Sequence, residues 1–246
     1  MKNNVNNFEN AYGNPTRAEA YSKLEFSNTY HLAYRDLPMV IKKHVRGNRA
    51  VDFGCGAGRS TRFLKRLGFQ AIGIDIAPEM LNKAKELDPL GDHRLVTDGN
   101  YRQLGLGTFD LVQSIFAFDN IAGKENRIII LKSLRELLKP EGRMICLDSN
   151  SEVYTNEWAS FTTKDFPENR DAKSGDIVKV ITTDIEDSRP VEDIFWTEDD
   201  YKEIFAAAGF DIEETYRPLG RDDEPYRWIM ETKIAPWNIY VLRKKK

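Results

Sequence analysis

Cysteine and histidine are scarce in this sequence. The two cysteines, Cys55 and Cys146, stand far apart, and His31, His44 and His93 are isolated from them and from one another. Neither a disulfide framework nor a metal-ligand spacing can be built from them, so no metal is expected. An excess of one charge is lacking as well: 36 Lys and Arg against 39 Asp and Glu leave a formal net charge of -3, spread along the chain. Non-specific nucleic-acid binding needs a basic field, so no nucleic acid is expected as a partner. No apolar run approaches the roughly 20 residues that span a bilayer, and the opening MKNNVNNFEN has none of the regions of a signal peptide. The expectation is a cytoplasmic protein without membrane contact, a monomer or homodimer whose 246 residues suffice for one large α/β unit.

What the chain has in quantity is alternation of apolar strand and amphipathic helix. Thr16 and Glu19 fit a capping box, and the stretch RAEAYSKLEFSNTYHLAYRDLPMVIKKHV predicts two or three short helices interrupted before Pro38. They form an aromatic-rich N-terminal cap within residues 1–48, whose Asn-rich start has no apolar anchor and is expected to fray. From Ala50 onward strands are expected at about 49–54, 71–75, 94–97, 109–115 and 142–148, the signature of βα units on a parallel sheet. Between them Phe63, Leu64 and Leu67 share a helical face, as do Met80, Leu81, Ala84 and Leu87, and Ile128, Leu131, Leu134 and Leu138. The polar stretch from Ser149 to Trp196 contains the alternating run DIVKVITTDI and predicts an insertion with a strand or hairpin. Thr197 with Asp200 starts a further helix that Gly209 ends, followed by strands near 210–217 and 237–243. The core thus runs over 49–246, with the insertion at about 149–196 on the substrate side.

Three glycines in five residues punctuate the first βα turn, VDFGCGAGRST. A strand that ends in such a turn and feeds a helix suits an anionic or polar ligand. The dinucleotide fingerprint is G-x-G-x-x-G/A, whereas Gly54, Gly56 and Gly58 fall as G-x-G-x-G and the sixth position is Arg59. The spacing therefore argues against a pyrophosphate. Asp75 closes the second strand, where a carboxylate can accept both hydroxyls of a ribose; it could equally cap the helix that Pro78 and Glu79 begin. Asp98 and Gly99 follow the third strand at the same sheet edge, where Asp98 can accept from an exocyclic adenine amine or simply form an Asx-turn.

VDFGCGAGRST, GIDIAPEML, TDG and FDLVQSIFAFDNI together resemble the successive motifs of class I S-adenosylmethionine-dependent methyltransferases, over about Ala50 to Asp148. The resemblance implies a Rossmann-like α/β fold: a seven-stranded, mostly parallel sheet of order 3-2-1-4-5-7-6 with strand 7 antiparallel and helices on both faces. It implies S-adenosyl-L-methionine as cofactor, S-adenosyl-L-homocysteine as product, and a role for each matching residue. Asp52, Gly54, Gly56 and Gly58 would line the methionine part, Asp75 would bind the ribose, Ile76 and Met80 would sandwich the adenine, and Asp98 and Gly99 would contact its polar edge. Ser114, Ile115 and Phe116 would lie near the sulfonium. Where amino-group methyltransferases acting on nucleic-acid bases or on a protein glutamine carry Asn/Asp-Pro-Pro-aromatic, this chain reads Ser114-Ile115-Phe116-Ala117; with the acidic balance this leaves a small metabolite as the expected acceptor, methylated at an N or O atom.

Tyr21, Phe26, Tyr30 and Tyr34 are the candidates for closing the cap over cofactor and acceptor, with Tyr21 a catalytic candidate; at helical spacing the same residues also suit a core. Arg35 would bind the cofactor carboxylate or make a surface ion pair. Asp119 is the candidate base, or the cap of the helix that follows. Phe118, Asn120, Asn150 and Trp158 are candidates for the acceptor pocket, with Asp148, Ser149, Phe161, Arg217, Tyr226 and Trp228 near it in the same reading. Cys55 is expected to be a small packed residue, since no base neighbours it in sequence. The alternatives are a nicotinamide-dependent oxidoreductase built on the same crevice and a non-catalytic protein that binds S-adenosylmethionine.

Overall fold

A computed structural model describes residues 15–24, 26–97 and 99–245. The Asn-rich start and Asp98 lie outside the described residues. Three helices come first, α1 (Pro15–Ser22), α2 (Thr29–Arg35) and α3 (Leu37–His44), then β1 (Arg49–Phe53), α4 (Arg59–Arg66), β2 (Gln70–Asp75), α5 (Pro78–Leu87) and β3 (Asp92–Leu95). After these run β4 (Phe109–Ile115), α6 (Lys124–Leu137) and β5 (Leu138–Ser149). Next come β6 (Phe161–Thr162), β7 (Ile177–Thr182) and β8 (Val191–Ile194), then α7 (Glu198–Ala207), β9 (Phe210–Tyr216) and β10 (Trp237–Lys244).

Seven strands form one sheet in the order β3-β2-β1-β4-β5-β10-β9. The pairs from β3 to β5 are parallel, and β10 runs antiparallel to both neighbours. Counting core strands alone, this is the expected order 3-2-1-4-5-7-6. The three strands between β5 and α7 make a separate antiparallel sheet, β6-β7-β8, in the segment where one strand or hairpin is expected.

The large sheet is covered on both faces, and its strands alternate between two cores. Ala50, Ile145, Leu147, Ile239 and Val241 pack with α2, α3 and the inserted sheet, whereas Val51, Cys146, Tyr240 and Leu242 pack with α6 and α7. Thr197 caps α7 as its sequence requires, its side chain accepting from the Asp200 amide at 3.2 Å and the Asp200 carboxylate returning to the Thr197 amide at 2.9 Å. The expected Thr16 box is not the start of α1. That helix opens at Pro15, which suits the first turn because its φ is preset and its missing N–H has no intrahelical partner there.

Helix α2, the inserted sheet and the β9–β10 loop meet at Glu231, a fully buried residue. Its Oε1 accepts from the Thr29 hydroxyl at 2.6 Å and the Ala159 amide at 2.7 Å, and its Oε2 accepts from the Ile229 and Met230 amides at 2.8 and 3.1 Å. Thr29 and Ser160 exchange two further hydrogen bonds of 3.0 Å, and the Trp237 indole donates to the Thr29 carbonyl at 2.9 Å. Replacing Glu231 by Ala strands several of these donors, each costing about 1–3 kcal/mol when buried and unpaired. Urea unfolding of Glu231→Ala should show a loss of about 2–4 kcal/mol; a change under about 0.5 kcal/mol would mean the knot does not hold these segments.

Candidate active site

The glycine loop leaves β1 through three left-handed residues, Gly54, Gly56 and Gly58, with φ of 68°, 52° and 77°. Only glycine adopts this backbone freely. Space is short as well: a Cβ on Gly54 would stand 2.4 Å from the Ala117 Cβ, and one on Gly56 3.1 Å from the Met80 Cε. The loop amides are largely engaged inside the turn. Gly54 and Cys55 donate to the Ile74 carbonyl at 2.9 and 3.0 Å, Gly58 donates to the Cys55 carbonyl at 2.8 Å, and Gly56 donates to Asp75 Oδ2 at 2.8 Å. A pyrophosphate needs several free amides, so the hydrogen bonding agrees with the glycine spacing in disfavouring one.

Asp75 is held by two backbone donors, Gly56 to Oδ2 and Ala77 to Oδ1, both at 2.8 Å. Burial raises its carboxyl above the ordinary range while these hydrogen bonds pull the other way. Asp52 acts behind the loop. Its Oδ2 accepts from the Ser60 and Thr61 hydroxyls at 2.6 Å each and its Oδ1 from Gln113 Nε2 at 3.3 Å, which ties β1 to the start of α4 and to β4. Burial pushes the Asp52 carboxyl up to about 6.

The carboxyl ends of β1, β2 and β4 open into a cavity of about 810 Å³, at the point where the strand order reverses. Gly54, Cys55, Gly56, Asp75, Ile76 and Met80 line it from the loop and from β2 and its following helix. Tyr21, Tyr30 and Tyr34 line it from the cap, and Phe161, Thr182 and Asp193 from the inserted segment. Ile115, Phe116, Asp119 and Asn120 come from the end of β4, Ser149 from the end of β5, and Trp237 from the start of β10. Phe116 has φ 61°, a left-handed conformation that bulky residues avoid, and its amide donates to the Leu147 carbonyl at 2.8 Å. Strain of this kind collects at functional sites. Burial raises the Tyr21 hydroxyl, so at neutral pH it is an uncharged donor and not a phenolate.

Asp119 is buried and faces the cavity. Its Oδ2 accepts from the Ser149 hydroxyl at 2.8 Å and the Ser149 amide at 3.1 Å, and its Oδ1 from the Tyr201 hydroxyl at 3.4 Å. Burial raises its carboxyl to about 6 against the pull of those donors. It does not cap α6, whose N-cap is Gly123.

Several expected site residues stand elsewhere. Arg35 pairs with Asp36 at 2.7 Å and Glu224 at 2.7 Å and is not part of the cavity lining, which realises its ion-pair reading. Trp158 is a core residue, 2% exposed, whose indole donates to the Val153 carbonyl at 3.0 Å. Phe118 points into the core against Phe53 and does not line the cavity. Asn150 accepts from the Glu152 amide at 3.3 Å and donates to the Ala235 carbonyl at 3.0 Å, so it shapes the turn leaving β5. Asp52, Gly58 and Ser114 support the loop and strand without lining the cavity, and Gly99 is likewise outside the lining. Asp148 is fully buried and receives the Cys146 thiol, while Arg217 pairs with Glu198 at 2.6 Å and Tyr226 packs on Trp228. Cys55 is buried and its thiol is pushed up by burial, in keeping with a packed and unreactive residue.

Arg59, Asp193 and Trp237 are among the lining residues to which the sequence assigned no role. Arg59 places its guanidinium 4.8 Å from the Tyr30 ring centroid and 5.4 Å from that of Tyr34, and its signal was the bulky residue in the sixth motif position. Asp193 and Trp237 lie in strands, and nothing local in their sequence marks them.

The family of the methyltransferase domain matches residues 27–215. N-demethylindolmycin N-methyltransferase of Streptomyces griseus is 24% identical over 184 residues, 74% of this chain and 77% of that protein. A ubiquinone biosynthesis O-methyltransferase of Cereibacter sphaeroides is 32% identical over 142 residues, 48% of this chain; the chain spans only 56% of that relative's length. The crystal structure of an S-adenosylmethionine-dependent methyltransferase from Clostridium acetobutylicum superposes with a TM-score of 0.61 at 12% identity, covering 92% of this chain and 94% of that one.

Replacing Asp75 by Ala removes a carboxylate oriented by two amides. Isothermal titration of the folded variant should show S-adenosylhomocysteine bound more weakly by about 1–3 kcal/mol, and unchanged affinity would remove Asp75 from the site.

Proposed function

Since the chain belongs to the S-adenosylmethionine-dependent methyltransferases of the class I fold, we propose that it methylates an N or O atom of a small metabolite held in the cavity beside the cofactor. The observation that carries this reading is the composition of the cavity. One part, formed by Gly54, Gly56, Asp75, Ile76 and Met80, matches the demands of a nucleoside bearing an amino acid; the other part is closed by the cap and the insertion. The names of the N- and O-methyltransferase relatives agree with a small acceptor.

The residues present fit the cofactor. Asp75 offers its remaining lone pairs to the ribose hydroxyls, and Ile76 and Met80 supply apolar surface for the adenine. Arg59, not Arg35, is the guanidinium in the cavity and the group to hold the methionyl carboxylate. When bound, S-adenosylmethionine supplies an electrophilic methyl group on a sulfonium sulfur. Holding an acceptor in line with such a group can supply up to about 7–11 kcal/mol of the barrier in well-oriented systems. The rings of Tyr30, Phe116 and Trp237 add attraction for positive charge, of order 0.5–2 kcal/mol. Asp119 takes the acceptor's proton where the acceptor must lose one, and Tyr21 closes the cavity as wall and neutral donor.

Calorimetric titration should find S-adenosylhomocysteine bound and NADH not bound; the reverse would sink the reading. With its carboxyl near 6, Asp119 is ionised and able to accept a proton above that pH, so turnover should rise through about pH 6. Asp119→Asn should lose this limb and slow turnover by about 100-fold or more, with cofactor affinity retained. A variant with an unaltered pH profile would make Asp119 structural.

A further inference from the structure

The inserted sheet presents one carboxyl group to the cavity. Asp193, on β8, is 8% exposed and lines the cavity, and both its hydrogen-bond donors are neutral: Asn120 Nδ2 at 3.3 Å from Oδ1 and the Tyr154 hydroxyl at 3.2 Å from Oδ2. It shares a buried cluster with Asp119 and Asp148. Two guanidinium groups act on Asp193, and each donates to carbonyl oxygens. Arg17 donates to Pro190 at 2.8 Å, and Arg127 donates to Ile121 at 2.7 Å and to Phe118 while its guanidinium lies 4.7 Å from the Trp196 ring centroid. Burial, and then Asp119, push the Asp193 carboxyl well above its ordinary range.

Uncharged donors offset only part of the cost of burying a carboxylate, and an ammonium supplies both the opposite charge and strong N–H donors. The same cavity is lined by Tyr30, Phe116, Phe161 and Trp237, whose ring centroids stand 4.7 to 6.1 Å apart in contacting pairs. Aromatic faces attract cations and cover apolar carbon. A buried carboxyl group and an aromatic enclosure in one cavity are the two parts of an amine site.

We propose that the acceptor is a small amine that enters as an ammonium ion, its charge held by Asp193 and its carbon framework by the Tyr30, Phe116, Phe161 and Trp237 enclosure. The assignment rests on the methyltransferase reading of the cavity and narrows its acceptor from N or O to N. For the nitrogen to act as nucleophile one N–H bond must break, and its proton passes to an oxygen of Asp119 in the same cluster.

The test is calorimetric titration of the full chain, saturated with S-adenosylhomocysteine, with phenethylamine and cyclohexylamine against their isosteres 2-phenylethanol and cyclohexanol. The amines should bind roughly tenfold or more tightly than the alcohols, the range for a charged hydrogen bond in place of a neutral one. In Asp193→Asn that preference should vanish while S-adenosylhomocysteine affinity stays the same. Equal binding of amine and alcohol by the wild-type protein, failure of both amines to bind, or an amine preference that survives in Asp193→Asn overturns the assignment. Should Asp193→Asn not fold, the wild-type ratio of amine to alcohol decides. A wild-type chain that fails to bind S-adenosylhomocysteine overturns the underlying reading instead, and the two failures are read in separate titrations.

Discussion

The hydrogen bonds accepted by Glu231 are the constraint on which the closed cavity depends. The parallel sheet supplies one side of the site through its own ladder, but the other side comes from three segments that share no strand pairing with one another. Thr29 and Glu231 are 202 residues apart, yet their side chains meet at 2.6 Å in a buried position. A buried carboxyl group must have its lone pairs filled, and here the donors come from α2, the insertion and the β9–β10 loop at once. Satisfying one group therefore sets the relative positions of all three. Tyr30 follows Thr29, Phe161 follows Ser160, and Trp237 donates to Thr29; the aromatic enclosure is assembled by the neighbours of the knot.

The side formed by the sheet is organised by carboxyl groups of another kind. Asp52 and Asp75 accept only from hydroxyls, an amide side chain and backbone amides, and they hold the glycine loop from behind and from its edge. Of the two only Asp75 lines the cavity, and its neutral donors leave its negative charge at the wall uncompensated. That matches a cofactor with a positive sulfur, and it contrasts with sites for nucleotide phosphates, where free amides and cations must converge. Among the described residues Arg59 is the one guanidinium of the cavity lining, and it sits among the rings of the cap.

Local signals carried the core far. Alternation between two buried faces made the strands legible, glycine spacing marked the loop, and Thr197 with Asp200 marked a helix start to the residue. Asp75 was legible because strand ends in a parallel sheet converge on one edge. Thr16 reads in sequence as the start of a helix that in the structure already opens at Pro15. Arg35, open between the cofactor carboxylate and an ion pair, and Trp158, expected in the acceptor pocket, were not decided by sequence for a shared reason. Charge and aromaticity are visible in sequence, but the direction of a side chain depends on what packs beside it, and here Glu224 captures one and the core the other.

The sequence by itself determined the βα alternation and the shape of the glycine loop, since both rest on short-range spacing, while the strand order and the class of cofactor came from the resemblance of its successive motifs to those of class I methyltransferases. Tertiary structure alone decided which residues line the cavity. Asp193 reaches the cavity only through the docking of the insertion, and Arg59 and Trp237 meet the rings of the cap there, and that docking is set by long-range burial and by hydrogen bonds such as those of Glu231. No local pattern encodes a contact between residues so far apart along the chain.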